Sequence, residues 1–123
     1  MVIAIDFDGT ITQENKFPEI GEARPFAIEA IKDFQRHGHQ CFLWTCRENQ
    51  YLEDAKNFLE SKGLYMDGYN TSPYDYINAG CRKPIADFYI DDRCVFCNGI
   101  DWQWLHKTIL AKDESIIKEK EGL

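Results

Sequence analysis

The sequence predicts an α/β protein built on a parallel sheet that helices cover on both faces. Short apolar runs typical of buried strands alternate with segments whose apolar residues recur at helical spacing. Polar residues follow directly after three of these runs, as expected where parallel strands end in a functional edge. The 123 residues are about one domain's length and contain no internal repeat or linker, so residues 1–123 are interpreted as one domain.

The first half of the chain contains a strand, a loop, a helix and a second strand. Val2–Ile5 is wholly apolar and fits a central strand. Residues 9–24 are rich in Gly, Pro and polar residues, which indicates an extended loop or a small hairpin. Pro25 suits the first turn of a helix, and Gly38 marks its end. Cys41–Trp44 is the second apolar run.

The second half repeats this alternation. A second amphipathic helix, with an apolar face formed by Leu52, Ala55 and Leu59, closes at Gly63. Leu64–Tyr69 predicts a weaker third strand. A clearer strand spans Phe88–Ile90, and a C-terminal helix begins at about residue 101.

Composition and charge exclude several classes of protein. With 44% hydrophobic and 28% charged residues, the chain is neither disordered nor collagen-like. No apolar run approaches the roughly 18 residues of a membrane span. A net charge of −7 disfavours binding to nucleic acid or to an anionic membrane surface, so neither is an expected partner.

The cysteines indicate a reducing compartment. Their number is odd and no signal-peptide pattern precedes them, so free thiols and a cytoplasmic location are expected. Cys94 and Cys97 have the spacing of a metal or redox pair, but no second pair accompanies them, which favours ordinary thiols. The five are Cys41, Cys46, Cys81, Cys94 and Cys97.

Carboxylates collect after the predicted strands. Asp6 follows the first strand, Thr45 the second and Asp91 the last, and the carboxyl ends of parallel strands meet at one edge. Asp8 and Asp92 would lie in the same place. Two like charges about 4 Å apart repel by about 4 kcal/mol at an effective dielectric constant near 20, so such a cluster calls for a cation or bound protons.

An all-oxygen cluster suits Mg²⁺, which also bridges readily to phosphate. The residues therefore predict a site where one Asp attacks phosphorus and a second moves protons. Thr45 and Lys83 would stabilise charge on the transferred group. Gly9 would let the backbone approach a ligand closely.

The same residues resemble a known family. The run from Asp6 to Thr10, Asp-Phe-Asp-Gly-Thr after an apolar strand, is similar to the first motif of the haloacid dehalogenase-like (HAD) superfamily. The strand ending in Thr45 resembles its second motif, Lys83-Pro84 its third, and the strand ending in Asp91-Asp92 its fourth. The resemblance extends from residue 2 to about residue 92.

This resemblance implies a Rossmann-like three-layer sandwich and an aspartyl-phosphate mechanism. Asp6 would be the nucleophile and Asp8 the general acid/base, a pairing that favours phosphoester chemistry over dehalogenation. Thr45 would contact the phosphoryl group, and Lys83, with Arg82 as the alternative, would pair with the nucleophile and the phosphate. Mg²⁺ would be held by the carboxylates of Asp6, Asp91 and Asp92 and by the backbone carbonyl of Asp8.

The spacing of the motifs leaves no room for a cap domain. About 37 residues separate Asp8 from Thr45, and about 38 separate Thr45 from Lys83. Relatives of this capless type have open sites, and a flap at about residues 10–24 is expected here. The partner would be a small phosphorylated molecule, with homo-oligomers an option. Candidate substrate contacts are Gly9, Thr10, Cys46 and Arg47, with Glu14, Asn15, Lys16 and Arg24 on the flap.

Other functions are considered beside hydrolysis. A HAD-like fold without turnover could serve as a binding or regulatory domain, and a phosphotransferase would need the same residues. A signalling receiver domain shares the acidic pocket, Thr and Lys, but in a different chain order. Among the residues themselves, Thr45 could cap the following helix, Asp92 could pair with Arg93, and Arg47 could be a solvated residue at a helix start.

Overall fold

A computed structural model describes residues 1–71, 86–94 and 99–121 of the chain, the last eight of these as backbone only. These residues form four strands and three helices in an alternating order. The strands are β1 (Val2–Ile5), β2 (Gln40–Leu43), β3 (Gly68–Tyr69) and β4 (Phe88–Ile90). The helices are α1 (Ala27–Arg36), α2 (Asn49–Ser61) and α3 (Trp102–Glu121).

The four strands form one parallel sheet in the order β3-β2-β1-β4. β1 is central, with Ile3 opposite Cys41 of β2 on one side and Phe88 of β4 on the other. All four residues of β1 are buried, which explains why this strand is wholly apolar. The prediction of a parallel, Rossmann-like α/β fold is confirmed.

The three described helices form one layer. Lys32 of α1 donates a 2.8 Å hydrogen bond to the carbonyl of Lys62, just after α2. On the other side of α1, Nε2 of His106 in α3 lies 2.6 Å from Oδ2 of Asp33. Ala4 and Phe42 point to the opposite face of the sheet and are also buried. A helix over that face is part of the prediction, and the described residues contain none there.

The third strand is shorter than the sequence predicts. Leu64 and Met66 pack into the core from a loop, and pairing with β2 is regular only at Gly68 and Tyr69. The reason is Asp67, whose carboxylate accepts the N–H of Cys41 at 2.7 Å in place of a strand carbonyl.

The segment between β1 and α1 is the small hairpin rather than the extended loop. Thr12 and Ala23 form an antiparallel bridge, and Gln13 N–H donates to the carbonyl of Glu22 at 2.7 Å. Below this hairpin, the indole N–H of Trp102 donates to the carbonyl of Thr10 at 3.0 Å, which ties α3 to the loop after β1. Residues 10–24 are called the flap below.

None of the described helices is both long enough and apolar enough to cross a membrane.

Candidate active site

The ends of three strands lie side by side. The N–H of Asp6 donates to the carbonyl of Ile90 at 3.0 Å, and the N–H of Trp44 donates to that of Ile5 at 2.8 Å. The backbone therefore continues its parallel pairing one step beyond the strands. As a result, Asp6, Thr45 and Asp91 leave the sheet from neighbouring positions on its carboxyl edge.

Three carboxylates converge at this edge. Asp6, Asp91 and Asp92 each offer an oxygen within 4.8 Å of the others, and all three side chains are half-buried. These residues are called the acidic triad below. Thr10 organises it, because its hydroxyl accepts the N–H of Asp92 at 3.0 Å and lies 3.5 Å from Oδ2 of Asp6.

The electrostatics of the triad would favour a bound cation. Burial raises the pKa of Asp6 to about 7, and the charges of Asp91, Asp92 and Asp8 add to that effect against a hydrogen bond from Phe7 N–H. Burial and contact with Asp91 raise the pKa of Asp92 as well. Oδ1 of Asp92 is buried and has no hydrogen-bond partner among the described residues. A divalent cation with oxygen ligands fits this donor set, since it would neutralise the repulsion and satisfy the buried oxygen.

This raised pKa predicts a pH dependence of stability without metal. The pKa of Asp6 is about 7 in the folded chain and near 3.8 when unfolded, so the folded state binds the proton more tightly. The stabilisation present below the unfolded pKa is lost as pH rises through the folded value. In EDTA, we expect melting temperature to fall between about pH 4 and pH 7 more steeply in wild type than in Asp6→Asn. Parallel curves for the two proteins would contradict the assignment.

Asp8 lies outside the triad and is held by Arg47. The guanidinium donates to both carboxylate oxygens, from Nε at 2.7 Å and from Nη2 at 2.8 Å. Its other N–H groups donate to the carbonyls of Pro18, Glu19 and Tyr51, so all five donors are used. The prediction that Arg47 binds substrate is therefore wrong in this structure. Its side chain is 1% exposed, so it is not a solvated helix-start residue either.

Gly9 and Thr10 also have internal roles in place of the predicted substrate contacts. Thr10 is fully buried between Asp6 and Asp92. The Gly9 N–H donates to Thr12, and its carbonyl accepts two hydrogen bonds from Arg24. Gly9 has a φ of 80°, and a Cβ there would collide with the carboxylate of Asp92. Glycine is needed here so that Asp92 can approach the loop, and Arg24 braces the loop.

Thr45 is fixed by a residue that the sequence did not single out. Asn70 accepts the N–H of Thr45 at 2.8 Å and donates to the carbonyl of Arg47 at 3.0 Å. Oγ1 of Thr45 accepts the N–H of Arg47 at 3.2 Å, and α2 has no side-chain cap, so the helix-cap alternative is wrong. Asn70 follows β3 directly, and the rule that identified the residues after the other strands would have found it.

Of the other residues predicted for the site, some are described by the structure and some are not. Cys46 is exposed beside Thr45 and remains a candidate substrate contact. Asp91 accepts the N–H of Arg93 at 2.9 Å, which closes a turn after β4, whereas Asp92 belongs to the triad. Lys83, Arg82 and Pro84 lie outside the described residues, as do Cys81 and Cys97.

The fold and the site together define an α/β protein with a half-buried acidic centre at the carboxyl edge of a parallel sheet. Comparisons with protein-family models and with curated proteins gave no match. Among solved structures, the chain is similar to a conserved protein coded by a locus from Bacteroides thetaiotaomicron. The two share 40% sequence identity over 91% of each chain, with a TM-score of 0.81. The chain belongs to the same family as that protein.

Proposed function

We propose that the protein is a Mg²⁺-dependent phosphomonoester hydrolase of the HAD-like type that works through an aspartyl-phosphate. The observation that carries the proposal is the acidic triad, in which a half-buried Asp6 faces the carboxylates of Asp91 and Asp92. One buried oxygen of Asp92 has no hydrogen-bond partner in the part of the chain that the structure describes. A second carboxylate, Asp8, is fixed separately by Arg47. This division supplies one carboxylate for attack and another for proton transfer.

The reaction takes place in two steps. A carboxylate oxygen of Asp6 attacks phosphorus, and the bond from phosphorus to the ester oxygen breaks. The departing alkoxide takes a proton from Asp8, which carries that proton in place of one of the two hydrogen bonds it accepts from Arg47 in the substrate-free protein. Water then attacks the phosphorus of the aspartyl-phosphate and gives one of its protons to Asp8. The bond from phosphorus to Asp6 breaks, which releases inorganic phosphate and restores the Asp6 carboxylate. Mg²⁺ held by Asp6, Asp91 and Asp92 would supply positive charge to the phosphoryl oxygens.

The chain positions the groups around this reaction. Because Oγ1 of Thr45 accepts a backbone N–H, its own proton is free to be donated to a phosphoryl oxygen. Asn70 holds the Thr45 backbone in place. Lys83 is proposed to add positive charge. The substrate is proposed to be a small phosphorylated molecule, and the cysteine usage favours a cytoplasmic location.

Hydrolysis of a generic aryl phosphate tests this function. We expect turnover that requires millimolar Mg²⁺ and stops when EDTA is added. Turnover that survives EDTA would exclude the metal-assisted mechanism. No turnover with any of a panel of aryl, alkyl and sugar phosphates would exclude hydrolysis and favour the binding-domain alternative.

Magnesium is also expected to stabilise the folded protein. Binding to the folded state only raises stability by about 2.7 kcal/mol at a hundred times the dissociation constant. We therefore expect millimolar Mg²⁺ to raise the melting temperature by several degrees, measured by calorimetry.

The control for this measurement is matched in charge. Asp6→Asn/Asp91→Asn should remove the response to Mg²⁺, whereas Glu29→Gln/Glu53→Gln, two exposed helix carboxylates, should keep it. An equal shift in both double variants would show that Mg²⁺ acts elsewhere.

A further inference from the structure

Two aromatic rings are exposed together near Asp8. Phe17 is 51% exposed and Tyr51 is 46% exposed, although both are large apolar side chains. Their ring centroids lie 5.0 Å apart in an edge-to-face arrangement. These two residues are called the aromatic rim below. The contact fixes both rings while leaving about half of each open to solvent.

The rim is built on the same guanidinium that holds Asp8. The Arg47 guanidinium lies between two rings, 5.3 Å from the centroid of buried Phe7 and 5.1 Å from that of Phe17. It also donates to the carbonyl of Tyr51. Phe17 stands in the flap and Tyr51 in the first turn of α2, so the rim joins the two elements beside Arg47. One guanidinium therefore contacts both the rim and the Asp8 carboxylate.

We propose that the aromatic rim stacks on a planar, aromatic part of the substrate's leaving group, an inference that rests on the proposed phosphatase function. Asp8 is the residue assigned to the leaving-group oxygen, so the group attached to that oxygen extends from Asp8 toward its surroundings. Two exposed rings whose centroids lie 5.0 Å apart provide a surface on which planar groups stack. The substrate class is then an aryl, arylmethyl or heterocyclic phosphomonoester.

The size of the rim favours a substrate group over a protein partner. A stable protein interface covers about 800 Å² on each side, formed by about 20–30 residues. Two half-exposed rings provide a small part of that area but match the face of a single aromatic group. The exposed rings of Tyr65 and Trp104 stand alone in the described residues, without a partner ring, and serve as controls.

The test compares two substrates with the same carbon skeleton, one with a planar aromatic ring and one with a saturated, puckered ring. Benzyl phosphate and cyclohexylmethyl phosphate have leaving groups of similar acidity, so the ratio of their kcat/KM values reports recognition. We expect wild type to prefer the benzyl ester roughly tenfold, mainly through KM. In Phe17→Leu and Tyr51→Leu the ratio should fall toward one, and in Tyr65→Leu it should stay at the wild-type value.

Two outcomes would overturn the rim assignment. One is an absence of benzyl preference in an active wild type. The other is an equal loss of kcat for both esters in Phe17→Leu, which would mean that Phe17 only supports Arg47. Binding of benzylphosphonate and cyclohexylmethylphosphonate, measured by calorimetry with Mg²⁺, separates the two proposals. Preferential binding without turnover would contradict the hydrolase and uphold the rim, and binding of neither compound would overturn both.

Discussion

Replacing Asp6 with Asn is expected to abolish turnover and leave the fold intact. The change removes the nucleophilic oxygen charge with almost no change of volume, and loss of a nucleophile typically costs about 10⁴-fold or more in kcat. Because burial, with a smaller contribution from neighbouring like charges, raises the pKa of Asp6, the Asn variant should also melt at a higher temperature than wild type at about pH 8 in EDTA. Steady-state hydrolysis and thermal melts measure the two effects.

The control for this variant is an Asp to Asn change outside the site. Asp54 lies on α2, where it accepts a hydrogen bond from the side chain of Gln50. Asp54→Asn should keep wild-type kcat within about twofold, since surface changes are small. If Asp6→Asn were to keep comparable activity, Asp6 would not be the nucleophile.

Replacing Arg47 with Met is expected to be the most destabilising single change. Removing one member of a buried ion pair costs about 3–5 kcal/mol, because the other charge is left without a partner. Asp8 is 11% exposed, so water would compensate it only in part. The carbonyls of Pro18, Glu19 and Tyr51 would lose hydrogen bonds as well. Denaturant unfolding measures the loss, and Arg36→Met, an exposed residue at the end of α1, is the control.

A double-mutant cycle separates this ion pair from general packing. In Asp8→Asn/Arg47→Met the uncompensated charge is absent, so the double variant should recover part of the stability lost in Arg47→Met. Additive losses from the two single changes would mean that Arg47 stabilises the protein through packing alone.

The sheet and the acidic triad could be predicted from the sequence because both depend on local patterns. β1 and β4 are short apolar runs with the bounds expected, and each is followed directly by Asp. Parallel strands end at a common edge, so the placement of Asp6, Asp91 and Asp92 follows from topology alone.

The role of Arg47 could not be predicted because it depends on contacts distant in sequence. Its neighbours Cys46 and Glu48 are exposed, and nothing local marks the residue between them as buried. The partner, Asp8, is 39 positions away, and the carbonyls at 18 and 19 belong to the flap. Local patterns likewise assigned Thr10 to the substrate, whereas its hydroxyl meets a backbone N–H 82 positions away.

The most direct test of the proposed mechanism is to trap the phosphorylated enzyme. Protein mixed with an aryl phosphate and Mg²⁺ is quenched in acid within milliseconds and its peptides are analysed by mass spectrometry. The proposed mechanism predicts one added phosphoryl group on the N-terminal peptide, at Asp6, that accumulates in wild type and is missing in Asp6→Asn. Turnover with no adduct throughout the time course, or an adduct on a different residue, would contradict it.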